Sequence, residues 1–320
     1  MLNIKATAEL VGVTAPRIKQ ILKENDHLDI VRLHKNNNMA AVPPQTVTEL
    51  LSLRGMSYTK KRVAIKSQKG GIGGTSLTLL TALRLAELGA KILVIDLDSE
   101  ANSTSFLMQE ELDLNSANTL LEVVKNNLSL KECVVNSRFA NVKLIPAKGM
   151  LRRVDKLVAD KNPKTLIDKM LSEVDADFDV IYLDLPPTYS RLTESAYLAC
   201  DLIILPFDQS SFSIEGAILT NEDLQASMVE YEVNKKIEIK VLMNKYSSNT
   251  NAGKEAFSYV ANHLSDKLLP FHIKNSTDIV TAINAGKSLF EIKSGAEIKA
   301  NIDELANYIS PLLQTTQTRH

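Results

Sequence analysis

The eight residues Lys69-Gly70-Gly71-Ile72-Gly73-Gly74-Thr75-Ser76 constrain the fold of this 320-residue chain more than any other stretch. They follow a short apolar run, Arg62-Val63-Ala64-Ile65, that reads as a buried parallel strand. They precede Leu77 to Leu88, whose apolar spacing is that of a helix. Strand, glycine-rich loop and helix together make the setting of a phosphate-binding loop. Glycines let the backbone curl so that successive N–H groups point inward, and the helix N-terminus adds positive potential. Such loops ordinarily end Gly-Lys-Thr or Gly-Lys-Ser, the lysine reaching the β- and γ-phosphates. Here Gly74 stands in the place of that lysine, and the remaining lysine, Lys69, opens the loop.

After the loop the chain alternates strand and helix. That pattern predicts an α/β fold with a doubly wound, mostly parallel sheet. Lys91 to Leu97 is an apolar strand running into Asp96-Leu97-Asp98-Ser99-Glu100-Ala101-Asn102. Two carboxylates therefore bracket one residue at a strand's carboxyl end, where such folds place their ligands. Phe178 to Leu185 is a second apolar run, ending in Asp184 and then Pro186-Pro187. The prolines stop the strand and stiffen the loop that follows. Further strands are expected at 142–147, 199–206, 239–245 and 269–275, with Asn244 closing the third of these. Helices are expected at 119–127, over most of 151–174, from Ile214 and over 301–313, while residues 103 to 150 are otherwise less regular.

The first 62 residues read differently. They carry ten Lys/Arg against five Asp/Glu, a net +5, whereas the remainder carries −6. A basic leading segment on an acidic body is the asymmetry of an appended DNA- or partner-binding module. Ala6 to Val11 is a short helix. Gly12-Val13-Thr14 is a turn in which Gly12 takes a left-handed conformation and Thr14 caps the next helix. Pro16 suits that helix's first turn. Ile18, Ile21 and Leu22 form its apolar face, leaving Arg17, Lys19, Gln20 and Lys23 as candidate DNA contacts. Leu28 to Lys35 and Met39 to Val42, turned by Asn36-Asn37-Asn38, outline a hairpin wing on which Lys35 is a fifth candidate. Pro44 to Leu53 is a further helix, ended by Gly55. The expected organisation is a small winged helix-turn-helix-like domain at 1–55, a basic linker at 56–61 and the α/β body at 62–320. The alternative for residues 1–55 is a helical module for dimerisation or partner contact.

Composition removes other classes. No apolar run reaches the length of a membrane span, and the N-terminus has no signal-peptide pattern, so a cytoplasmic protein without a membrane partner is expected. Cys133 and Cys200 are far apart and lack metal-ligand spacing, which argues for reduced thiols and against an iron–sulfur centre.

The opening Lys-Gly-Gly-x-Gly resembles the deviant Walker A family, the ParA/MinD ATPases, and the likeness covers nearly the whole chain. Asp96 to Asn102 is similar to that family's Asp-x-Asp-x-Gln-x-Asn motif, with Glu100 for Gln. Phe178 to Pro187 is similar to its Walker B stretch, residues 145–147 to a family strand end, and 269–275 with 282–287 to its closing segment. Residues 1–55 resemble the MerR-like winged modules at the front of plasmid-type ParA proteins. The resemblance implies a P-loop ATPase for plasmid or chromosome partitioning that uses ATP and Mg2+. It implies a sandwich dimer in which Lys69, the signature lysine, reaches the partner's phosphates. It places Gly70, Gly71, Ile72, Gly73, Gly74, Thr75 and Ser76 around the nucleotide and Asn244 at the adenine. Thr75, Asp96 and Asp184 would serve the metal, and Asp98 would position the attacking water. The implied partners are nucleoid or operator DNA and a ParB-type centromere-binding protein, which would make the chain nucleoid-associated. Two departures stand out. Gly74 replaces the Walker lysine, and Tyr246-Ser247-Ser248-Asn249-Thr250 lacks the arginine of the family's Tyr-Asp-x-Arg-Thr. Residues 301–313 are not rich in Lys/Arg, unlike a MinD-type membrane-targeting helix. One charge-assisted bond is worth roughly 1.5–3 kcal/mol, so loss of the Walker lysine weakens ATP binding by about one to two orders of magnitude unless Lys69 substitutes. Two readings follow: a slow or hydrolysis-impaired ATPase that still binds nucleotide, or a nucleotide-free DNA-binding, scaffold or autorepressor protein on the same fold.

Overall fold

In a computed structural model of the chain, residues 1–32, 40–110, 112–114, 116–247 and 251–314 are described. Eight strands form one sheet. Their spatial order is Leu268–Lys274, Glu238–Tyr246, Leu202–Phe207, Lys61–Ile65, Val180–Asp184, Ile92–Asp96, Val142–Ile145 and Val135–Asn136. Every neighbouring pair is parallel except the last, where Val135–Asn136 runs antiparallel to Val142–Ile145. The expected doubly wound, mostly parallel α/β sheet is the one observed. Strand side chains alternate between faces, and both faces are apolar because helices cover both. Val63, Ile65, Val94, Tyr182 and Ile204 join one buried cluster, while Ala64, Leu93, Ile95, Leu183 and Leu205 join the other.

Lys61–Ile65 lies at the centre, between Leu202–Phe207 on one side and Val180–Asp184 on the other. This is the place where strand order reverses, and the crevice beyond the carboxyl ends of such strands is where α/β sheets bind ligands.

Several boundaries differ from the sequence reading. The 151–174 stretch is two helices, Arg152–Leu157 and Pro163–Ser172. Pro163 sits in the first turn of the second, and Asn162 caps it by accepting from the Lys164 N–H at 2.9 Å. A helix at Asn102–Leu107 occupies a region read as irregular. The closing helix is Ala296–Ile309, which starts and ends earlier than expected. Past it, Leu312–Gln314 is a strand. That strand pairs antiparallel with Met56–Tyr58, so most of the supposed linker at 56–61 is paired backbone, and Lys61 already opens the central strand.

The N-terminal residues form helices Ile4–Val11, Ala15–Glu24 and Pro44–Leu53. Gly12 ends the first helix at φ 70°, as its turn requires, while Thr14 makes no side-chain capping bond to the second. Strands Val31–Arg32 and Ala40–Val42 pair antiparallel, and Leu2–Asn3 adds a third strand beside Ala40–Val42. The expected strand over 28–35 is thus confined, among the described residues, to Val31 and Arg32. The wing tip, with Lys35, lies outside the described residues. Helix Pro44–Leu53 docks on the far end of the helix Gly74–Glu87. Thr48 Oγ1 donates to the Gly89 carbonyl at 2.6 Å, and the Tyr58 hydroxyl donates to the Leu88 carbonyl at 2.8 Å. Gly89 has φ 97°, and a Cβ there would meet Val47 Cγ1 at 2.9 Å.

Candidate active site

The central strand delivers the chain into residues 66–73, and helix Gly74–Glu87 leaves them. Two left-handed glycines turn the loop, Gly71 at φ 85° and Gly73 at φ 105°. Gly73 has a second reason to be glycine: a Cβ there would lie 2.7 Å from Asn244 Nδ2. That amide is buried and donates to the Ile72 carbonyl at 2.7 Å, so Asn244 props the loop. At Gly74 a Cβ would lie 2.9 Å from the Ile65 carbonyl oxygen. The backbone has closed over the position where a lysine stem would start.

A cavity of about 520 Å3 opens along the loop. Gly70, Gly71, Gly73, Gly74, Thr75 and Ser76 line one part of it, joined by Asp98, Pro187, Asn244 and Lys245, and residues 274–283 close the rest. This is the scale of a small-molecule or nucleotide site.

The carboxylates meet beneath the loop because of register. Asp96 and Asp184 end adjacent parallel strands as direct partners. Asp184 is almost fully buried; Thr75 Oγ1 donates to its Oδ1 at 3.0 Å and Ser103 Oγ to its Oδ2 at 2.6 Å. Burial, reinforced by the Asp96 charge, pushes Asp184 up to about 7 despite those two donors. Burial likewise pushes Asp96 up to about 6, although it accepts from the Thr104 N–H and hydroxyl and from the Asp98 N–H. Asp98 is less buried, lines the cavity and caps its own turn by accepting from the Glu100 N–H at 2.9 Å. A hydroxyl beside buried carboxylates is an all-oxygen donor set. It fits a hard divalent ion such as Mg2+, which keeps water and phosphate oxygens in its shell. The positive charge of such an ion would favour the ionised form of both carboxyls and offset their burial.

The lysines divide. Lys69 does not line the cavity; its ammonium lies 6.0 Å from the ring centroid of Phe212, an exposed residue. Two lysines that the sequence reading does not select approach the site. Lys66 is buried, with Nζ 3.3 Å from each of the Pro186, Pro187 and Thr188 carbonyl oxygens, and desolvation lowers it to about 8. Its signal is a lysine directly after the apolar residues Val63-Ala64-Ile65, just ahead of the loop. Lys245 lines the cavity and donates from Nζ to the Gly71 carbonyl at 2.6 Å. Its sequence signal is no more than its place next to Asn244.

The structure thus gathers Gly70, Gly71, Gly73, Gly74, Thr75, Ser76, Asp98 and Asn244 around one cavity, with Ile72 buried in the loop and Asp96 and Asp184 beneath it. It does not bring the N-terminal candidates there. Arg17, Lys19, Gln20 and Lys23 are exposed on helix Ala15–Glu24. Arg17 pairs with Glu24 at 3.7 Å, and Gln20 Nε2 donates to the same Glu24 at 2.6 Å. Ser248, Asn249 and Thr250 lie outside the described residues.

The AAA domain model AAA_31 matches residues 60–239. The cell division protein PomZ of Myxococcus xanthus is 29% identical over 98% of this chain and 96% of its own length. The chromosome partitioning protein ParA of the same organism is 23% identical over 75% of this chain and 85% of its own. Among solved structures, an ATP complex of a Cyanothece McdA variant superimposes with a TM-score of 0.70, covering 78% of this chain and 96% of that one at 23% identity.

Proposed function

The chain belongs to the ParA-type AAA domain family of P-loop ATPases, and on that premise we propose that it is a partitioning or positioning ATPase that binds ATP and Mg2+ but turns over slowly. The observation that carries this reading is the convergence of glycine loop, Thr75 and Asp98 on one cavity, with Asp184 bonded to Thr75 beneath it and Asp96 beside Asp184. In the proposal the N–H groups of residues 70–76 cradle the phosphates at the helix N-terminus. Asn244 holds the loop shut against the strand end and faces the base. Thr75 and Asp184 hold the metal, and Asp96, tied down by Thr104 and Asp98, fixes their spacing. Mg2+, when bound, neutralises phosphate charge. Asp98, at the cavity wall, orients the attacking water. Lys69 does not line its own cavity, which supports a role across a dimer interface. Gly74 leaves the loop without the lysine that ordinarily stabilises charge developing in transfer, and this supports slow turnover.

Nucleotide thereby acts as the differential ligand of a monomer–dimer equilibrium. The dimer binds DNA through phosphate contacts, and a ParB-type partner stimulates its release. The exposed basic helix Ala15–Glu24 supports a DNA or partner contact by the N-terminal unit. Sedimentation with and without ATP and Mg2+ tests the proposal. A dimer that persists with ATP and falls apart with ADP is expected; a mass unchanged by ATP would overturn it.

A further inference from the structure

The missing lysine leaves a question of charge that the cavity itself addresses. Among the described residues, Lys245 and Lys274 line it. Lys274 is held by Glu297 in an ion pair. Lys245 instead donates to a neutral acceptor, the Gly71 carbonyl, at 2.6 Å. Gly71 is part of the loop whose N–H groups would wrap a phosphate, and Lys245 and Gly71 line the same cavity.

The backbone at Lys245 is unusual in two respects. Its φ is 55°, a left-handed conformation that costs an L-residue with a Cβ and that glycine or asparagine would adopt more readily. It also sits in a β-bulge. Met243 pairs with His272 and Tyr246 with Lys274, so Asn244 and Lys245 together oppose the single residue Ile273. Bulges re-aim side chains and recur beside active sites. Here the bulge turns two successive side chains onto the loop: Asn244 onto the Ile72 carbonyl and Lys245 onto the Gly71 carbonyl. A lysine kept in a conformation that favours glycine, and aimed at a phosphate loop lacking its own lysine, is strain held at a functional site.

We propose that Lys245 supplies the phosphate-directed cation that Gly74 omits, delivered from the neighbouring strand end instead of from the first turn of the helix. The proposal rests on the nucleotide reading above. Lys245 is exposed, so its stem is free to swing from the Gly71 carbonyl to a polyphosphate oxygen. Lys66 is less suited, because its ammonium is enclosed by three carbonyls of residues 186–188 and it does not line the cavity.

The test is calorimetric titration of MgATP into the full chain and its variants, with thermal unfolding of each in the absence of nucleotide. Lys245→Met keeps the stem and removes the charge; it should weaken ATP binding about tenfold or more. Lys245→Arg keeps the charge and should stay within about threefold of the parent. Lys245→Gly relieves the left-handed residue; it should raise the melting temperature while losing affinity as Met does, a split that a merely structural lysine would not give. In a Gly74→Lys background, the Lys245→Met loss should shrink to about threefold or less. Unchanged affinity in Lys245→Met would overturn the proposal, as would an equal loss in Lys245→Arg. The cycle with Gly74→Lys needs the Ile65 carbonyl to yield to the new Cβ, so the Met, Arg and Gly series stands without it. If the parent and Gly74→Lys both fold and neither binds ATP, the nucleotide reading itself fails, and this proposal with it.

Discussion

Asp184 holds two donated hydrogen bonds and still has a raised pKa, because burial and the neighbouring Asp96 outweigh them. The consequence for stability has a definite sign. Its folded pKa, about 7, lies above the ordinary 3.8. The native state therefore keeps a proton that the unfolded chain gives up, and stability declines as pH rises from about 4 toward 7. Asp184→Asn cannot titrate. Without metal, its melting temperature relative to the parent should climb between about pH 5 and pH 7. The slope reports the ionisation, since loss of one acceptor oxygen only adds a constant offset. A flat difference would mean that Asp184 is already ionised in the native state. Asp184, Asp98 and Thr75 are legible in the sequence because each sits at a motif position. Lys66 and Lys245 are not, since nothing in a linear pattern shows that a bulge turns one strand's end onto another element's loop.

At the scale of elements, the strand–loop–helix unit is readable because its glycines and the apolar run before them are local signals. The propping of that loop is not local. Gly73 is required by φ 105° and by Asn244, which comes far later in the chain and leaves 2.7 Å for any Cβ. Gly73→Ala should therefore cost about 1–3 kcal/mol and should weaken nucleotide binding, because either the loop or Asn244 must move. Urea unfolding and an ATP titration of the same sample check both; an alanine variant as stable as the parent would show that the loop is not held by this contact. The strand Met56–Tyr58, within the expected linker at 56–61, is equally non-local: it exists because Leu312–Gln314 returns to it from the far end of the chain. The closing helix stops early for a local reason, Pro311 following Ser310.

Taken whole, the molecule does not divide cleanly at residue 56. Ile18, Val42, Val47 and Leu50 share one buried cluster with Leu79, Leu83 and Ile302 of the body. The Met1 amino group pairs with Glu87 on the same helix that begins at Gly74. That helix is 14 residues long, which puts the N-terminal contacts roughly 20 Å from the phosphate loop along its axis. Leu50→Ala should therefore lower a single melting transition of the entire chain, by about 2–5 kcal/mol at a fully buried leucine. Two transitions, with only the first displaced, would show an N-terminal unit that unfolds alone. A shared core also gives the basic helix Ala15–Glu24 a packed connection to the helix that would carry the phosphates.

Every functional step above requires that the cavity accept MgATP although residue 74 is glycine. Calorimetric titration of ATP into the full chain, with magnesium present, measures this directly. A dissociation constant in the micromolar range, lost in Asp184→Asn, is expected. Absence of binding at millimolar ATP would contradict the ATPase reading and leave the fold as a nucleotide-free platform for residues 1–55.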